Sequence, residues 1–141
     1  MTRATVGTGT ELPGWELPVT PTLVVSTAVA TRDFQDVHHD RDLAVRRGSK
    51  DIFLNILTTT GLVQRYVGEW AREALGEEFV IRSCKLRLGA PAYPYDMVRF
   101  SGTVTAAVDG VHTIAVVGAV VSPGSTDELT HVDAQVTVVS A

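Results

Sequence analysis

Apolar and polar residues alternate through most of the second half of the chain. From Val80 to Leu88, Cys84, Leu86 and Leu88 alternate with Ser83, Lys85 and Arg87, which predicts a strand. Gly89 to Asp96 carries two prolines and reads as a loop. Met97 to Val108 predicts a second strand, with Val98, Phe100 and Val104 on one face. Asp109-Gly110 is a hairpin turn signal, and Val111 to Val121 returns. After a turn over Ser122 to Glu128, Leu129 to Val139 closes the series, with Val132, Ala134, Val136 and Val138 facing one way.

The first half follows a different period. Ile52, Ile56, Val63, Val67 and Trp70 fit helical spacing, and Leu54, Leu57 and Leu62 fill other faces. This predicts a long helix, apolar nearly all round and therefore buried. Asp51 or Asn55 can cap its start. Thr58, Thr59, Thr60 and Gly61 are weak helix formers, and Gly61 costs about 1 kcal/mol relative to Ala. Packing must support that segment, and Gly61 is a place for a close neighbour. Upstream, Asp40 suits the N-cap of a short helix over Arg41 to Arg47, with Gly48 past its end. Gln35 to His39 reads as loop. Ser26 or Thr27 can cap a helix over about Ala28 to Phe34, and Thr22 to Val25 reads as a short strand. Prolines at positions 13, 18 and 21 keep the preceding chain extended, so residues 1–15 read as a tail and residues 16–141 as one domain. The class is α+β, one curved antiparallel sheet wrapping one helix. A helix apolar on all sides needs more cover than one sheet supplies, and a second subunit can supply the rest.

Composition narrows the class. At 141 residues the chain is long enough for a core without staples. A net charge of −4 argues against nucleic acid as the main partner. The single cysteine, Cys84, forms no internal disulfide and suits a reducing compartment. No long uncharged apolar run predicts a membrane span, and the first residues lack the apolar core of a signal peptide, so a cytoplasmic protein is expected.

Chemistry concentrates between Asp33 and Asn55. Asp33 and His38, five residues apart, can hold one water between a carboxylate and an imidazole and move its protons near neutral pH. The same spacing also fits a capping Asp beside an exposed His. His38, His39 and Asp40 contain metal-ligand types, but consecutive loop residues diverge, so no metal is expected. His112 and His131 sit singly in strands and read as sheet surface. If Asn55 caps the long helix, the N–H groups of Ile56 and Leu57 are free donors with the helix dipole behind them. They can hold an oxygen that gains negative charge, or be an ordinary helix end. Arg82, Lys85 and Arg87 suit phosphates or a solvated strand face. Tyr93 and Tyr95 suit a pocket mouth or the underside of the loop. Cys84 reads as core.

The run Asp33-x-x-x-x-His38-x-Asp40-x-x-x-Ala44, followed by Gly48 and a buried helix, resembles the hydratase-2 motif of MaoC-like hot-dog proteins. Gln35-Asp36 stands where that motif has Asn-Pro, and Asn55-Ile56 where it has His-Gly. Two blocks, the one from Ala30 to Trp70 and LRLGAPAYPYDMVRFSGTV, are similar to the small MaoC-like subunits of steroid side-chain enoyl-CoA hydratases of bacterial cholesterol catabolism, over about Pro21 to Val139. The resemblance implies a single hot-dog fold and hydration of a trans-2-enoyl-CoA. It implies Asp33 and His38 as catalytic residues; Asn55, Ile56 and Gly61 on the long helix are the expected substrate contacts. It implies no cofactor beyond the coenzyme A thioester itself. It also implies a larger partner with its own MaoC-like domain and an OB-type domain of the DUF35 kind, in a heterodimer or heterotetramer. A hot-dog thioesterase and a non-catalytic hot-dog scaffold are the alternatives.

Overall fold

A computed structural model describes residues 6–141. Five strands form one antiparallel sheet in the order β1-β3-β4-β5-β2: β1 (Glu11–Pro18), β2 (Phe79–Leu88), β3 (Met97–Val108), β4 (Val111–Val121) and β5 (Leu129–Ser140). Three helices, α1 (Pro21–Ala30), α2 (Arg41–Arg46) and α3 (Ile56–Ala74), lie between β1 and β2. This is the α+β architecture expected, a sheet around one long helix, and it is a hot-dog fold. The strand bounds at β3 and β4 are those the alternation predicts. Asp109 and Gly110 both take positive φ, 50° and 77°, as a type I′ hairpin turn requires.

The inner sheet face and one side of α3 make the core. Val98, Phe100, Val104, Ile114, Val116, Val132, Val136 and Val138 are buried from the strands. Val63, Tyr66, Val67 and Ala71 meet them from α3. Phe100 lies opposite Gly118, where an added Cβ would stand 2.8 Å from Val132 Cγ1 and 3.2 Å from the Phe100 ring. The glycine makes room for the aromatic ring.

Several expectations are corrected. Residues 11–15 are not tail but the first part of edge strand β1, which a bulge between Leu12 and Trp15 bends around Pro13-Gly14. The tail's first five residues lie outside the described ones. Thr22 to Val25 is helix, not strand, because Thr20 caps α1 by accepting the Leu23 N–H at 3.0 Å and Pro21 takes the first helical position. That proline starts a helix rather than extending the chain, so the helix begins well before Ala28. The strands are not a simple meander: β2 pairs with β5 across the sheet, and the 89–96 loop carries the chain to the β3 side.

Helix α3 is not buried all round. Ile52 and Leu54 precede it, and Ile56 and Leu57 on its first turn are 50% and 52% exposed. Gly61, Arg65, Glu69 and Arg72 line its open side. Among the described residues, nothing beyond its own helix comes within 4 Å of where a Gly61 Cβ would sit, so Gly61 has no close neighbour there. His112 and His131 are buried rather than surface residues, at 8% and 3% exposure. His112 shares the inward parity of Ile114 and Val116. His131 owes its position to a bulge: Val132 pairs with Gly118 and Thr130 with Ala119, leaving His131 as the extra residue. A bulge re-aims the side chain it carries.

Candidate active site

The site forms where three chain ends meet: the C-terminus of α1, the turn before α2, and the N-terminus of α3. Helix α1 stops at Thr31, and Arg32 takes a positive φ of 57°. The Asp33 N–H then bonds back to Ala28 O at 2.9 Å, which fixes where the Asp33 carboxylate leaves the helix. Residues Asp36–His38 make a short 3-10 turn that carries the imidazole inward. Arg47 at the end of α2 pairs with Asp36 at 2.7 Å and holds its carboxyl below the usual range. Asp40 caps α2 through Leu43 N, and Gly48 adopts a φ of 91°, both as the sequence predicts.

Within this frame His38 Nε2 lies 3.4 Å from Asp33 Oδ2. The other ring nitrogen settles the tautomer. His38 Nδ1 is 2.7 Å from Phe53 O, and a carbonyl can only accept, so Nδ1 carries the proton. In the neutral ring Nε2 therefore presents a lone pair towards the Asp33 carboxylate. The imidazole is buried and stands edge-on to Phe53, with ring centroids 4.9 Å apart. The Asp33 side chain is 23% exposed and so open to solvent.

Asn55 ties the helix to the carboxylate. Its Oδ1 accepts the Thr58 N–H at 3.0 Å, capping α3. Its Nδ2 donates to Thr31 Oγ1 at 2.8 Å and to Asp33 Oδ2 at 3.1 Å. Every polar atom of this buried amide is used, which leaves it one orientation. Thr59 N bonds to Asn55 O, so the N–H groups of Ile56 and Leu57 have no intrahelical acceptor and open to the exposed side. Val29, Phe34, Ile56 and Leu57, which flank Asp33 and Asn55 in sequence, are each half or more exposed.

The remaining candidates lie elsewhere. His39 is exposed and its Nε2 donates to Phe34 O at 3.2 Å, so it turns back onto its own loop. His39→Ala should therefore cost activity far less than His38→Ala; steady-state rates on the two variants check this, and the reverse ranking would put the motif off by one residue. Lys85 and Arg87 lie on the outer sheet face, beside Asp133 and Gln135, away from the face that packs on α3. Tyr93 packs edge-on to Phe53, with Lys50 over its ring, whereas Tyr95 is 72% exposed. Cys84 faces Gln64 of α3, and burial pushes its thiol pKa up, as for a core residue. Among the described residues no group of three or more His, Cys, Asp or Glu is placed to hold a metal ion. No helix among them is long and apolar enough to cross a membrane.

Sequence reasoning missed His131. Its Nδ1 is 2.7 Å from Ala90 O and its Nε2 is 2.9 Å from Thr59 Oγ1. Burial pushes this imidazole below its ordinary pKa of 6.5, against smaller upward pulls from the Ala90 carbonyl and Asp96. The unfolded chain therefore takes up the proton first as pH falls. Stability on this account is complete above about pH 6.5 and falls as the solution is acidified below it. Thermal midpoints at about pH 7.5 and 5.5 should drop further for the native chain than for His131→Gln; equal drops would exclude His131 as the source.

No protein-family model matches the chain. A curated relative does: it is 63% identical over 110 residues, covering 78% of this chain and 82% of the relative. That relative is the 3-oxo-4,17-pregnadiene-20-carboxyl-CoA hydratase beta subunit of Mycobacterium tuberculosis. The chain belongs to the MaoC-like hydratase family. A chain in the crystal structure of the ChsH1-ChsH2 complex from Mycobacterium tuberculosis matches this MaoC-like chain with a TM-score of 0.86 and 54% identity, over 98% of this chain and 100% of that one. The (R)-hydratase from A. caviae involved in PHA biosynthesis shares the fold, with a TM-score of 0.80 at 16% identity over 97% and 98% of the two chains.

Proposed function

We propose that this chain is the catalytic subunit of an enoyl-CoA hydratase that adds water across the α,β double bond of a steroid side-chain enoyl-CoA, giving a 3-hydroxyacyl-CoA in steroid catabolism. The observation that carries the reading is the Asp33–His38 pair, in which an imidazole lone pair and a carboxylate face each other 3.4 Å apart. With the Nδ1 proton given to Phe53 O, the Nε2 lone pair and the Asp33 carboxylate are both acceptors, so a water lying to one side of the pair can donate one hydrogen to each. Its oxygen lone pair is then directed outward, at the β-carbon. As the new C–O bond forms, the pair takes one proton from the water and returns a proton to the α-carbon. The electrons of the double bond pass meanwhile to the thioester oxygen. The free N–H groups of Ile56 and Leu57, with the α3 dipole behind them, are suited to hold that oxygen while it is enolate-like. Gly61, one turn further along the open side of α3, leaves space for the bound thioester. No cofactor takes part.

The identity to a steroid-CoA hydratase subunit supports the substrate class, and the exposed apolar side chains of Phe34, Ile56 and Leu57, next in sequence to Asp33 and Asn55, suit a large apolar acyl group. The likeness to a chain of a two-protein complex supports a partner subunit; the family resemblance points to a larger one, with its own MaoC-like domain and an OB-type domain. Incubating the assembled protein with a steroid side-chain enoyl-CoA should remove the enoyl absorbance without releasing free thiol. Thiol release at the same rate would instead identify a thioesterase, and no change in either signal a scaffold.

A further inference from the structure

Helix α3 delivers both the Asn55 amide and the free N–H groups to the site, so its axial position sets their distance from His38. Three contacts hold that position from the side of the sheet. Thr59, fully buried one turn into α3, donates its hydroxyl proton to His131 Nε2 at 2.9 Å. That direction is fixed, because His131 Nδ1 must carry the ring proton to reach Ala90 O at 2.7 Å. Ala90 belongs to the 89–96 loop, and two residues on, Ala92 O accepts the Leu54 N–H at 3.1 Å. Leu54 follows Phe53, whose carbonyl orients the His38 ring.

The hydrogen bonds therefore close a circuit. It runs from Asp33 through Asn55 into α3, from Thr59 to His131, through the 89–96 loop back to Leu54 and Phe53, and so to His38. The β5 bulge is what brings His131 into it. A hydroxyl and an imidazole inside an otherwise valine-rich core are costly to bury, which packing alone gives no reason to incur.

We propose that Thr59 and His131 are positioning residues for hydration: they set the register of α3 against the His38 loop without touching substrate. The inference rests on the hydratase reading of the Asp33–His38 site. Thr59→Val keeps the shape and removes the donor, whereas Thr59→Ser keeps the donor. In the active assembled protein, Thr59→Val should lower kcat about 10-fold per folded molecule while KM stays within about twofold, the pattern of a misplaced catalytic group. Thr59→Ser should restore kcat. If the valine variant does not fold, Thr59→Cys, with its weaker S–H donor, should give a several-fold loss between the two.

Nitrogen-15 imidazole spectra of the same variants add a readout that needs no turnover. Loss of the Thr59 donor should shift the His38 resonances as well as those of His131. Full kcat per folded molecule in Thr59→Val or its Cys substitute, or a spectral change confined to His131, would overturn the proposal and leave the pair a purely structural contact. A native protein that does not hydrate enoyl-CoA at all would instead overturn the hydratase reading, while the spectra would still test the circuit.

Discussion

Asp33→Asn should lower the hydration rate by at least about 100-fold, the lower end of what a positioned general acid or base contributes. The exchange keeps the shape of the side chain and removes its charge and its ability to take a proton. It also places an amide against the Asn55 Nδ2, which now donates to Asp33 Oδ2 at 3.1 Å. The fold should persist, since the Asp33 side chain is partly exposed and Asn55 still caps α3 through Thr58. His38→Ala should lose at least as much activity. It is the less clean variant, because the ring is buried against Phe53 and its removal leaves a cavity and an unpaired Phe53 carbonyl. The loss in both should fall on kcat, with circular dichroism and elution volume near native. Near-normal turnover by a well-folded Asp33→Asn protein would remove this carboxylate from the mechanism.

How much of this was legible depended on how local each signal is. The strands of the second half follow from side-chain parity and a two-residue turn, both carried by neighbours in sequence, and β3 and β4 fall where the alternation puts them. Asp40, Gly48 and Asn55 were legible for the same reason, since a cap acts within one helical turn. The pattern misled at Pro21, where one residue type serves both extended chain and the first position of a helix, and only Thr20 decides between them. It misleads again at Ile56 and Leu57, where the spacing predicts core but the side chains are half exposed on the first turn of α3. The Asp33–His38 spacing pointed to a pair, but the tautomer of His38 is set by Phe53, fifteen residues away, and the carboxylate is held by Asn55, twenty-two residues away. His131 was out of reach altogether. The alternation of Val132, Ala134, Val136 and Val138 assigns it to the outer face, and a bulge that reverses one residue leaves no mark in hydrophobic pattern.

The same uncovered surfaces predict how the chain assembles. Its two sheet edges are unlike. Strand β1 is blunted by Pro13, Pro18, a bulge and the charges of Glu11 and Glu16, devices that discourage strand pairing. Strand β2 runs ten residues without proline or glycine, pairs among the described residues only with β5, and exposes Val80 at 66%. On the helical side, Ile56, Leu57, Val29 and Phe34 leave apolar surface exposed. An open edge and exposed apolar side chains are both liabilities in a monomer, and a second hot dog joined at β2 would relieve them. Expressed without its partner, the chain should homodimerise with a poor pocket or aggregate. Coexpressed with the larger MaoC-like subunit proposed as its partner, it should form a heterodimer or its doubled heterotetramer. Only that mixed form should hydrate a steroid side-chain enoyl-CoA efficiently. Size-exclusion chromatography with light scattering, read beside activity for the chain with and without the partner, checks both halves. A stable lone monomer with full activity on the steroid thioester would show that these apolar side chains and the β2 edge need no cover.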